Sequence, residues 1–80
     1  MTEKMRVLHA LSVHGERDLC QIAGITGIPA GRVFAALQTH MRQRSTVRVQ
    51  RDGRTQYAVT DAGLSQVASW GSEERELDGV

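Results

Sequence analysis

The sequence predicts a mainly helical α+β domain: a three-helix core, a two-stranded antiparallel hairpin packed on it, and a last helix that closes the chain. Three observations lead there. Through residue 42 the apolar residues recur at the three- and four-residue spacing of helices that bury one face. Between residues 47 and 59 apolar and polar residues alternate on both sides of Asp52-Gly53, a dipeptide suited to the two positive φ angles of a tight hairpin turn. With one Phe, one Tyr and one Trp among 80 residues, the core must be assembled from Leu, Ile, Val, Met and Ala, which favours helices over a large sheet. A chain of this length forms one domain at most and buries only roughly 60% of the surface it exposes when unfolded, so its connections must be simple.

The first helix begins near Thr2, whose hydroxyl can accept from the amides of the first turn, and it directs Met5, Leu8 and Leu11 toward the core. It ends at His14-Gly15, where glycine supplies a left-handed residue and a histidine complements the negative end of the helix dipole. Asp18-Leu19-Cys20-Gln21 is a capping box, so a short second helix starts at Asp18 with Leu19, Ile22 and Ala23 as its stripe. Gly24 and Thr26-Gly27 limit it to about two turns. Ile28 is the buried residue of the tight turn that follows, and Pro29 opens a long helix, where its fixed φ suits the first turn. That helix, from about Ala30 to Arg42, has two faces. Val33, Leu37, His40 and Met41 form the buried stripe with Phe34 and Ala36 at its margins, while Arg32, Ala35, Gln38, Thr39 and Arg42 fall opposite.

In the hairpin, Val47 and Val49 point one way while Arg48 and Gln50 point the other, and Tyr57 and Val59 alternate in the same manner with Gln56 and Ala58. An isolated hairpin is marginal in water, so its Val and Tyr face is predicted to pack on the helices. Thr60-Asp61-Ala62-Gly63 caps the last helix, with Leu64, Val67 and Ala68 inward and Trp70 as a lid at its end. Residues 71–80 show no apolar period. The domain is therefore predicted to span residues 1–70 and to leave 71–80 as a disordered acidic tail.

The formal net charge of +1 hides an asymmetry. Residues 1–70 hold nine Lys or Arg against five acids, and residues 71–80 hold one Arg against four acids. Between residues 32 and 54 six arginines face a single acid, Asp52. Positive charge concentrated in one segment beside an acidic tail is the pattern of a domain that binds a polyanion.

Other classes lack their signatures. There is no Ser/His/Asp or Cys/His order with supporting motifs and no phosphate-cradling glycine loop, and the three histidines have no acidic or thiolate companions at metal-ligand spacing. The reading is therefore no enzyme, no catalytic residue, no metal and no cofactor. Cys20, the single cysteine, reads as a small apolar side chain in a helix; alone it makes no internal disulfide, which fits a reducing cytoplasm. No apolar run approaches a membrane span and the N-terminus lacks a signal-peptide layout, so no membrane partner is predicted and the localisation expected is cytoplasmic.

The order helix, short helix, tight turn, long helix, hairpin, helix resembles the winged helix-turn-helix superfamily, in particular the small bacterial regulators of the MarR, ArsR and PadR sort. Three stretches carry the resemblance: Gln21-Ile22-Ala23 through Thr26-Gly27-Ile28 to Val33, the turn and strand Arg51-Asp52-Gly53-Arg54-Thr55-Gln56-Tyr57, and Val59-Thr60-Asp61-Ala62-Gly63-Leu64. The match covers roughly residues 3 to 70. It implies a sequence-specific double-stranded DNA-binding domain of a small transcriptional regulator such as a repressor, bacterial or phage. On this chain the helix from about Ala30 to Arg42 would be the recognition helix and residues 51–54 the wing tip. His40 stands where the family commonly has Leu, and Arg44-Ser45-Thr46-Val47 where Gly-Leu-Val is common, which predicts a core histidine with a hydrogen-bond partner and a longer join to the first strand. A homodimer is expected on the same resemblance, and no small-molecule ligand. The competing reading is a winged helix used for protein-protein interaction without specific DNA binding.

The chemistry of DNA recognition distributes the candidate residues. A recognition helix reads base edges from its early turns while positive side chains hold phosphates. Arg32 stands at the start of the presented face, where a guanidinium can donate two bonds to guanine O6 and N7; Gln38 and Thr39 are the next candidates for bases. Arg42, Arg44, Arg48, Arg51 and Arg54 are placed for phosphates, with Arg51 or Arg54 able to enter a minor groove.

Overall fold

Thr2 opens the first helix by accepting the Met5 amide on its hydroxyl at 3.2 Å, and helix α1 runs Glu3–His14 to a left-handed-side Gly15 with φ 82°. The fold comes from a computed structural model, which describes the backbone of residues 1–78 and the side chains of residues 1–70. The order is α1, α2 (Leu19–Thr26), α3 (Ala30–Arg42), β1 (Thr46–Arg51), β2 (Arg54–Val59) and α4 (Asp61–Asp78). This is the predicted class: helices carrying one two-stranded antiparallel sheet.

The capping box forms at both ends. Asp18 Oδ1 accepts from the Gln21 amide at 2.8 Å, and the Asp18 amide donates to Gln21 Oε1 at 3.1 Å. α2 runs through Gly24 to Thr26, the two turns expected, and Thr26 closes it from two sides: its Oγ1 donates to the Ile22 carbonyl at 2.8 Å and accepts from the Ile28 amide at 3.2 Å. Gly27 then takes the left-handed conformation, φ 73°, that only glycine adopts without cost. Pro29 is the residue before α3 rather than its first helical one, with φ −55° and ψ 142°.

The core is one cluster of Val7, Leu11, Ile22, Ile28, Val33, Ala36, Leu37 and Tyr57, drawn from all three leading helices, the turn and the second strand. Burying each of its larger aliphatic side chains is worth about 1.5–3 kcal/mol relative to exposure. In α1 the stripe is wider than the predicted Met5, Leu8 and Leu11: Val7 and Ala10 are buried with the two leucines, and Met5 is only half-buried. Cys20 is exposed on α2 rather than packed.

The hairpin turn forms as predicted, with positive φ at Asp52 and Gly53 and Arg51 paired directly to Arg54. Its register corrects the predicted packing face. Thr46 pairs with Val59 and Arg48 with Tyr57, so the core side carries Thr46, Arg48, Tyr57 and Val59; Val47 and Val49 stand opposite Ala58 and Gln56 on the outer side. Val47 is accordingly 46% exposed. The alternation was legible, but which half of β1 shares a face with Tyr57 depends on a register that only the turn fixes. The loop before α2 adds a short third edge: Arg17 donates to the Tyr57 carbonyl at 3.1 Å and accepts from the Tyr57 amide at 2.8 Å.

The inward face of α4 also differs from the predicted Leu64, Val67 and Ala68. Gly63 lies against Ser45 and Val59, and Ser45 Oγ donates to Gln66 Oε1 at 2.8 Å. That turns Gly63, Gln66, Val67 and Trp70 inward at helical spacing, with Gly63 buried and the other three half-buried, and leaves Leu64 and Ala68 exposed. The backbone of α4 stays helical past Trp70 to Asp78, where the sequence predicts the ordered chain to stop. Glu and Arg are strong helix formers and need no apolar partner to extend an existing helix. The side chains of the predicted acidic tail lie outside the described residues.

Candidate nucleic-acid interface

α2 and α3 are joined through residues 27–29 with their axes turned by 109°, within the range of paired helices that present the second one to a groove. Val33, Ala36, Leu37 and His40 bury one side of α3. Gly31, Ala35, Gln38 and Arg42, spaced i, i+4, i+7 and i+11, are all exposed on the other. Gly31 and Ala35 leave the first turns of this face nearly bare, so a neighbouring surface can come close to the backbone there. Phe34, predicted at the margin of the buried stripe, is 38% exposed beside Gln38 and adds an apolar contact to the presented face.

The predicted base-reading residues separate. Gln38 is at the centre of the exposed face. Thr39 is half-buried, and its Oγ1 donates back to the Ala35 carbonyl at 3.3 Å, which occupies its proton within the helix. Arg32 is exposed but flanks the face on the α1 side, where its Nη2 lies 3.2 Å from Glu3 Oε2. The two side chains border an open groove of about 520 Å³ with Thr2, Lys4, Ala35 and Ala36.

The phosphate candidates form a run from the end of α3 to the hairpin tip. Arg42, Arg44, Arg48 and Arg54 are exposed and make no ion pair among the described residues. Arg51 is exposed too, with Nε 2.7 Å from Glu16 Oε2. Arg44 has a left-handed backbone, φ 60°. It terminates α3 in a Schellman arrangement: the Ser45 amide donates to the His40 carbonyl at 2.8 Å and the Arg44 amide to the Met41 carbonyl at 3.1 Å. An arginine holds the position that glycine usually takes.

His40 is buried, as predicted, and its Nε2–H donates to the Lys4 carbonyl at 2.7 Å, tying the end of α3 to the first turn of α1. The charges around the interface are arranged by these elements. Of the five acids in residues 1–70, Asp18 and Asp61 stand at helix starts and Asp52 sits in the turn. The remaining two, Glu3 and Glu16, are those paired with arginines. Glu16 and Phe34 were missed as participants: Glu16 sits far from Arg51 in sequence, and Phe34 fell at the margin of the buried stripe rather than on the presented face. Among the described residues no group of His, Cys, Asp or Glu is gathered for a metal ion, and no single helix is long and apolar enough to cross a membrane.

No family model and no curated protein matches the chain in sequence. Solved structures do match it. A MarR family transcriptional regulator from Silicibacter pomeroyi superposes with a TM-score of 0.85 at 19% identity, over 96% of this chain and 54% of that one. PcaV, a transcriptional regulator from Streptomyces coelicolor solved with its natural ligand, gives 0.85 at 21% identity, over 98% and 58%. MepR, a transcription regulator of the Staphylococcus aureus multidrug efflux pump MepA, gives 0.85 at 20% identity, over 99% and 62%. The likeness shows the fold, the winged helix of MarR-type regulators, with α2 and α3 as its paired helices and β1-β2 as the wing. The chain spans little more than half the length of these proteins. Because PcaV is described with a ligand, the neighbours lend no support to the expectation that a small molecule plays no part.

Proposed function

We propose that this chain binds double-stranded DNA sequence-specifically as a small transcriptional regulator, with α3 in the major groove and the β1-β2 wing on the backbone or in the minor groove. The single observation that carries the reading is a set of exposed arginines without ion pairs at the end of α3 and on the hairpin, among the described residues. Arg42 at the end of the exposed α3 face, then Arg44, Arg48 and Arg54, are exposed and unpaired among the described residues. They lie on the helix and hairpin that a winged helix presents together. Gln38 reads a base edge, with an adenine as its best match, and Phe34 meets a thymine methyl beside it. Most of the affinity comes from phosphates, so specificity from one domain is modest.

A fluorescence-anisotropy titration against self-promoter and random duplexes at several salt concentrations tests the reading. With five arginines on phosphates, log K against log salt has a slope of about −4 to −5. A slope near zero, or no binding at low salt, would overturn it in favour of a protein-binding winged helix. Two half-sites one helical turn apart, about 34 Å, are what a homodimer would require, and light scattering of the free and bound protein checks that part.

A further inference from the structure

Among the described residues there are two ion pairs, and each joins an acid to one of the arginines nominated for DNA contact. They differ in geometry. Glu3 meets Arg32 at a terminal nitrogen, Nη2, at 3.2 Å, with both side chains well exposed. Glu16 meets Arg51 at Nε, at 2.7 Å, and the Glu16 side chain is only 24% exposed while that of Arg51 is 64% exposed. Glu16 is also the better anchored acid. Its own carbonyl accepts from Arg17 Nη1 at 2.7 Å, and the next residue is bonded in both directions to Tyr57 of β2. It therefore sits one residue before an isolated bridge to the wing. The Arg17-Tyr57 bridge holds this segment against β2, and the Glu16 carboxylate reaches Arg51 on β1.

From this geometry we infer that Glu16 is a positioning residue for the wing: it fixes the Arg51 guanidinium through Nε and leaves Nη1 and Nη2 free to take one phosphate end-on. This rests on the proposed DNA binding. A guanidinium has five N–H donors in a rigid fork, and a carboxylate that uses the Nε edge leaves the two terminal nitrogens as a bidentate pair for a second anion. Neither terminal nitrogen of Arg51 has a partner among the described residues. Holding the side chain in advance also removes part of the rotamer entropy that an arginine at a hairpin tip would lose on binding. A carboxylate that only competed with phosphate would act oppositely, lowering affinity by occupying the cation.

The two roles predict opposite signs. Binding of the full chain to one duplex is measured by anisotropy at two salt concentrations for wild type, Glu16→Gln, Glu16→Ala, Arg51→Ala and the Arg51→Ala/Glu16→Ala double variant, with thermal unfolding recorded for each. The positioning role predicts that Glu16→Ala weakens binding about three- to ten-fold. Glu16→Gln, which keeps an acceptor for Nε–H, restores most of the loss, and Glu16→Ala has no further effect once Arg51 is gone. Tighter binding in both Glu16 variants would overturn the inference in favour of competition. So would unchanged binding in both, or a loss in Glu16→Ala that persists in the Arg51→Ala background, which marks a general structural effect. Absence of salt-dependent binding by wild type would instead remove the DNA-binding reading itself.

Discussion

Gly63 stands so close to Ser45 that a β-carbon on the glycine would overlap the Ser45 carbonyl oxygen and lie 2.6 Å from Val59 Cγ2. The contact is the centre of a small junction between the end of α3 and the start of α4. Thr60 donates its amide to the Ser45 carbonyl at 3.0 Å and its hydroxyl to the Arg44 carbonyl at 2.7 Å, while accepting the Gly63 amide at 3.1 Å. One threonine thus caps α4 and pins the join between α3 and the wing.

Gly63→Ala is predicted to destabilise the domain by about 1–3 kcal/mol, the usual cost of overpacking. The sign is informative, because helix propensity alone predicts a gain of roughly 1 kcal/mol for the same change. Urea unfolding followed by circular dichroism decides it: a raised midpoint at constant m would show that the junction opens without penalty.

Arg44 offers a way to separate folding from binding. A left-handed backbone costs a non-glycine residue roughly 1–2 kcal/mol, and glycine at the same place gives back part of that gain through its freer unfolded chain. Arg44→Gly should therefore change stability by less than about 1 kcal/mol, while removing one phosphate contact and making the salt slope shallower by about 0.9. An unchanged slope would mean that Arg44 serves only the helix end.

His40 satisfies one ring nitrogen and not the other: Nε2–H reaches the Lys4 carbonyl, whereas Nδ1 is buried with no partner. An unsatisfied buried acceptor costs about 1–3 kcal/mol, and replacing the ring by an apolar side chain of similar reach removes that cost. Lys4 lies within α1, where the helix itself supplies a donor to its carbonyl. His40→Leu is expected to raise stability by about 1 kcal/mol, and His40→Ala to lower it by about 2 kcal/mol through the cavity it leaves. A loss in His40→Leu equal to that in His40→Ala would show that the tie to α1 outweighs the stranded nitrogen.

On the presented face of α3, Gln38→Ala should reduce discrimination between duplexes at one base position by about 1–3 kcal/mol. Arg42→Ala should weaken all duplexes alike and flatten the salt slope by about one unit. Arg32→Ala is the contrasting case, because Arg32 flanks the face and is engaged with Glu3. Comparing its loss on cognate and random duplexes shows whether it leaves Glu3 to read guanine. A uniform loss for Gln38→Ala would remove that residue from base reading.

The elements themselves were legible without coordinates, because each was written in local chemistry. The Asp18-Gln21 box, the Gly27 turn, the Asp52-Gly53 hairpin and the Thr60 cap depend on residues within a few positions of one another, and each forms where the sequence put it. What required the tertiary structure were relations between residues distant in the chain. The Gly63 contact that rotates α4 away from Leu64 and the Arg17-Tyr57 bridge that brings Glu16 to the wing come from packing of separate elements, whereas the register that turns Val47 and Val49 outward follows from the two-residue turn at Asp52-Gly53. Helical and strand periods say that a face exists, but the choice among nearly equivalent faces is made by which neighbour approaches closest. The candidate site divides in the same way. Local charge and helical spacing nominated its arginines, and only the fold decided which of them, Arg32 and Arg51, are held by carboxylates and which stand free among the described residues.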